Sequence, residues 1–97
     1  MPYSAKIVLH APPPHSHALE EFVEACIRDK VALVCVVGEQ CQLVEDIIDE
    51  LVVGDGSDET RFINTTSHPD QPLAEVVAFA NAWSEPEGES QEVKLCA

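Results

Sequence analysis

The residues of this chain with reactive side chains are four histidines, four cysteines and a large surplus of carboxylates. Three histidines stand close together in His10-Ala-Pro-Pro-Pro-His15-Ser-His17. The fourth, His68, lies in Thr65-Thr66-Ser67-His68-Pro69-Asp70. Imidazole, thiolate and carboxylate together suit zinc, which takes four such ligands, or three plus a water when catalytic. The set that could hold it is His10, Cys41 and His68, with His15 or His17 as the fourth. The spacing H-x4-H-x-H is not a zinc motif of the H-E-x-x-H or paired C-x-x-C kind. Histidines in loops are also ordinary, so His17 beginning a helix and His68 preceding one is the plainer reading.

A second chemistry is nucleophilic. Cys41 follows an apolar run and opens an amphipathic one, where a helix N-terminus can stabilise a thiolate and a nearby histidine can act as base. Glu39 opposes this with a negative charge two residues away, and no glycine flanks the cysteine as a tight nucleophile turn requires. Nucleotide binding is disfavoured more firmly. The first strand-to-helix loop holds Pro12, Pro13 and Pro14, which have no N–H to offer a phosphate. The run Asp55-Gly56-Ser57-Asp58-Glu59-Thr60 lacks the register of a calcium hand.

The elements that position these residues can be read from periodicity. Ala5–His10 is a first strand. Leu19, Phe22, Val23, Cys26, Ile27 and Lys30 then fall at helical spacing with Ser16 as the N-cap, and Glu20, Glu21 and Glu24 face water. Val31–Val37 is apolar on both alternating faces, as in a covered parallel strand. Leu43, Val44, Ile47, Ile48, Leu51 and Val52 form the buried stripe of a second helix, with Glu45, Asp46, Asp49 and Glu50 outside and Gly54 as its stop. Arg61–Thr66 is a more polar strand at or near an edge. A third helix runs from Leu73 to about Trp83, with Asp70 as cap and Pro72 in its first turn. The sequence from Gln91 onward alternates as a last edge strand.

The order βαβαβαβ predicts a single α/β domain over residues 1–97, a three-layer sandwich around a four-stranded, mainly parallel sheet. Strand order 3-2-1-4, Rossmann-like, puts the two most apolar strands in the centre and is preferred; flavodoxin-like 2-1-3-4 is the alternative. Only the first order places helices one and two on one face, where Glu20, Glu21, Glu24, Glu45, Asp46, Asp49 and Glu50 make one acidic surface. Either order brings all four histidines and Cys41 to the carboxyl edge of the sheet. In 3-2-1-4, however, the first and third strands lie about 9.6 Å apart, and their loops must lean inward to share an ion.

Composition limits the partners. Of 97 residues, 18 are acidic and 5 basic, a net charge of −13. That field repels phosphate backbones and anionic lipid, so nucleic acid and membrane surfaces are disfavoured, and it favours a basic protein partner. At 45% hydrophobic and 24% charged the chain is expected to be globular. No targeting segment is read at the N-terminus, and the cysteines have no disulfide rhythm, which points to a reduced, cytoplasmic protein. The third helix, Leu-Ala-Glu-Val-Val-Ala-Phe-Ala-Asn-Ala-Trp, is apolar most of the way round. This suggests a homodimer through Phe79, Ala82 and Ala78, unless the C-terminal segment folds over it.

The runs VALVCVVGEQCQLVEDIIDELVVGDG and TTSHPDQPLAEVVAFA resemble those of small uncharacterised bacterial α/β proteins, a resemblance that implies no activity and no functional residue. The leading expectation is a non-enzymatic protein-binding or regulatory module with a basic partner. A metal-dependent protein and a cysteine-dependent enzyme are the alternatives.

Overall fold

The computed structural model describes residues 3–12, 16–54, 56, 62–83 and 88–95. Strand β1 (Lys6–His10) and strand β2 (Leu33–Val37) are the two most apolar segments and take the middle of the sheet. Strands β3 (Asn64–His68) and β4 (Gln91–Lys94) flank them in the order β3-β2-β1-β4, with every pairing parallel. This is the preferred 3-2-1-4 order. It follows from burial, because a central parallel strand is covered on both faces and can be apolar throughout. All five residues of β2 are buried.

Helix α1 (His17–Arg28) begins at Ser16, whose hydroxyl accepts from the Leu19 N–H at 3.3 Å. Its stripe Leu19, Phe22, Val23 and Cys26 is buried. Lys30, expected to continue that stripe, instead lies beyond the helix end with φ 60° and is exposed. Helix α2 (Cys41–Val53) buries Cys41, Val44, Ile47, Ile48 and Val52. Leu43, expected inside, is 42% exposed, while Cys41 takes the inward position one turn before Val44. Gly38, at φ 100°, turns the chain out of β2 in a conformation that side chains disfavour. Gly54, at φ 60°, ends α2 as expected.

The inner faces separate cleanly. Ile7, Leu9, Val34, Val36 and Val93 pack with α1 and α2 on one side of the sheet. Val8, Leu33, Cys35 and Val37 pack with helix α3 (Leu73–Ala82) on the other. This alternation is the period-two geometry of strands. The move from β1 to β2 to β3 runs one way across the sheet and the move from β3 to β4 runs back, so crossovers of one hand place α3 opposite its predecessors. Pro72, rather than Asp70, is the N-cap of α3, and no side chain caps that end.

Strand β3 begins three residues later than the polar run suggested. Phe62 and Ile63 precede it, Arg61 lies outside the described residues, and Asn64–His68 pairs one to one with Leu33–Val37. Lys6 is the surprise of β1, at 1% exposed. Its ammonium donates to the carbonyl oxygens of Trp83 at 2.8 Å and Asn81 at 3.4 Å, at the C-terminal end of α3. A cation suits that end, where backbone carbonyls lack helical partners.

Candidate functional site

The proposed metal ligands are distributed over two layers. His10 and His68 both end their strands and face the α3 side, each in register with Val37 of β2. They are thus two strand spacings apart, about 9.6 Å, with an apolar side chain between them. Cys41 lies in the opposite layer, 1% exposed among the α1 and α2 core residues. The sheet itself stands between it and the two histidines. His15 lies outside the described residues. Among the described residues no three of His, Cys, Asp or Glu come together as a metal-holding group.

Each described histidine has a partner of its own. His10 Nε2 is 2.6 Å from Glu92 Oε1 on β4. His17, on the exposed first turn of α1, is 2.8 Å from Glu21 and 3.5 Å from Glu20. His68 is buried, with Nε2 2.8 Å from Thr66 Oγ1 and Nδ1 hydrogen-bonded to Gln71 Oε1. Its ring leans on Phe79 at 5.2 Å, and Phe79 on Trp83 at 5.7 Å. The amide oxygen of Gln71 accepts, so the Nδ1–H tautomer donates to it and Nε2 accepts from the Thr66 hydroxyl. Thr66 also hydrogen-bonds Cys35. Cys35, Thr66, His68 and Gln71 therefore form one chain across the α3 side of β2 and β3. The sequence places His68 in a loop and Thr66 beside it at the same edge, but gives Gln71 no role; its spacing of three residues after His68 was the only signal.

The thiols are set for packing. Burial pushes the Cys26 thiol up to about 12, with Asp29 adding to the effect, and burial raises Cys35 against the opposing pull of its Thr66 hydrogen bond. Protonated, enclosed thiols are poor nucleophiles. Cys26, Cys35 and Cys41 are all free and buried, and Cys96 lies outside the described residues.

The carboxylates do gather. Helices α1 and α2 pack side by side on the same face of the sheet. Glu20, Glu21, Glu24, Asp46, Asp49 and Glu50 are exposed on them, and Glu45 is half-buried. Glu45 and Asp49 turn toward β3, where the Thr65 hydroxyl lies 3.1 Å from Glu45 Oε2 and 2.6 Å from Asp49 Oδ1. One hydroxyl proton serves only one of them at a time. Between the two helices runs a cleft of about 490 Å³ bordered by Leu19, Ile47 and Leu51 and by Glu20, Glu24 and Glu50. The aliphatic residues of that cleft were read from sequence only as core, because periodicity cannot show that two buried stripes leave a gap where they meet.

On the opposite side, α3 buries only Val76 and Ala80. Leu73 and Phe79 are each 37% exposed, and Ala74, Ala78 and Ala82 are exposed as well. No helix among the described residues is long and apolar enough to cross a membrane.

Residues 1–96 match the family described as a domain of unknown function, DUF7684, and the chain belongs to that family. No curated protein and no solved structure matches it.

Proposed function

For this member of the DUF7684 family we propose a non-enzymatic, protein-binding role, in which the acidic face of α1 and α2 engages a basic partner. The observation that carries this reading is the juxtaposition of two acidic helices on one face of the sheet. Charges so arranged steer a cationic partner and fix its orientation. Protein binding is preferred over zinc or thiol chemistry because Cys41 lies in the layer opposite His10 and His68, and those two histidines have partners of their own. A lysine-rich peptide titrated into the full chain tests the reading. Binding should weaken as salt rises, since exposed charges are screened over about 8–10 Å at ordinary ionic strength. Replacing Glu45, Asp46, Asp49 and Glu50 by their amides should weaken it further. At about 0.2–1 kcal/mol per exposed charge contact the loss is roughly four-fold to several-hundred-fold. Unchanged affinity in that variant would overturn the reading.

A second surface supports self-association. The outer side of α3 is apolar, and Glu75 is its one carboxylate. Two chains of charge −13 repel across their acidic faces and can meet across α3. Sedimentation equilibrium should give a dimer, and Ala78→Glu, at an exposed position, a monomer. A wild-type monomer at high micromolar concentration would refute this.

A further inference from the structure

The cleft between α1 and α2 has a chemistry more specific than its charge. Leu51 is half-buried and Ile47 is 8% exposed in it, above the fully buried Leu19, so its floor is aliphatic; Glu20, Glu24 and Glu50 are exposed along its rim. A lysine-rich disordered segment would use the rim and leave the floor wet. A neutral apolar helix would use the floor, desolvate the rim carboxylates and bring them no cation, which is costly. The occupant that satisfies both is a helix with one aliphatic stripe flanked by lysine or arginine. Helix-in-groove recognition has this form, with anchors at i, i+3, i+4 and i+7. The volume of about 490 Å³ falls within the usual range of binding sites, about 300–1,000 Å³.

We propose that this cleft is the docking groove for a cationic amphipathic helix of a partner protein, whose aliphatic stripe lies on Leu51 and the reachable edge of Ile47 and whose basic flanks meet Glu20, Glu24 and Glu50. The proposal rests on the acidic-face reading above and adds a demand for pattern as well as charge. Two synthetic peptides of one composition in leucine, lysine and alanine separate the two claims. One carries leucine at i, i+3, i+4 and i+7; the other has the same residues scrambled so that no stripe forms. Each is dye-labelled and titrated with the full-length chain at one fixed salt concentration, with fluorescence anisotropy as the readout. The patterned peptide should bind at least ten-fold more tightly than the scrambled one. Leu51→Gln, at a half-buried position, should remove most of that difference while leaving the scrambled peptide's affinity unchanged. Heat denaturation of this variant checks its fold, and Leu51→Met, which keeps the floor aliphatic, should retain the preference. Equal affinity for the two peptides would overturn the groove and leave the charge reading standing. Failure of both peptides to bind would overturn both.

Discussion

The chain of hydrogen bonds through His68 gives a prediction whose size can be worked from the geometry. His68→Leu keeps an aliphatic side chain against Phe79 but removes the bonds to Thr66 and Gln71 and the ring contact at 5.2 Å. Each buried hydrogen bond contributes about 0.5–1.5 kcal/mol net, and an aromatic pair about 0.5–1.5 kcal/mol beyond its area. The expected loss is therefore about 1.5–4.5 kcal/mol, a large part of the roughly 5–15 kcal/mol that holds a typical domain together. Thr66→Val removes the partner hydroxyl at 2.8 Å and should cost about 1 kcal/mol for that bond. The two changes share one interaction, so the double variant should lose less than the two single losses combined, by about 0.5–1.5 kcal/mol. Urea denaturation of the four proteins, at equal slopes, gives the cycle. The wild type is also measured with and without a chelator. Near-neutral single variants, or strict additivity, would refute the hydrogen-bonded chain. A chelator that lowers the wild type to the level of His68→Leu would show that His68 holds a metal instead.

Three further outcomes follow from local geometry. Asp29 accepts from the Tyr3 N–H at 3.0 Å and from Arg28 at 3.2 Å, which holds its carboxyl below the usual carboxylate range. A depressed carboxyl stabilises the fold above its unfolded value near 4 and loses that contribution as pH falls through its folded value. Asp29→Asn should thus be less stable than wild type at pH 7, with the gap narrowing as pH falls below the unfolded value and through the lower folded one; a gap independent of pH would refute this. Ser16→Ala should cost about 1 kcal/mol by removing the cap on Leu19, and an unchanged melting temperature would show that the cap contributes nothing. Cys26, Cys35 and Cys41, all at most 1% exposed, should resist alkylation in the native protein and react in denaturant, read site by site by mass spectrometry. Fast native labelling of Cys41 would instead restore a nucleophilic role.

The sheet was legible because its two central strands advertise themselves. Residues 33–37 are apolar at every position, and only burial on both faces explains such a run. The helices were legible through the spacing of Leu19, Phe22, Val23 and Cys26 and of Val44, Ile47 and Ile48. Strand β3 was misplaced because its polar residues carry no alternation of hydrophobicity, and its bounds are set by pairing with β2. That shift took His68 out of a loop and put it under Phe79, which changed its chemistry from a candidate ligand to a buried link. Lys6 could not be foreseen in the core, since its partners are backbone carbonyls some 75 residues away. The acidic face follows from strand order and was foreseen with it; the cleft depends on how closely two helices approach, which no local pattern encodes.

The acidic face of α1 and α2 is where a basic partner should meet this protein. Amide chemical-shift mapping on the isotope-labelled full chain, titrated with the patterned lysine–leucine peptide, locates that meeting directly. Shifts should concentrate in residues 16–28 and 41–54, strongest around Ile47 and Leu51, and fade as salt is raised. Shifts centred on α3, or scattered evenly over the sheet edges, would contradict this.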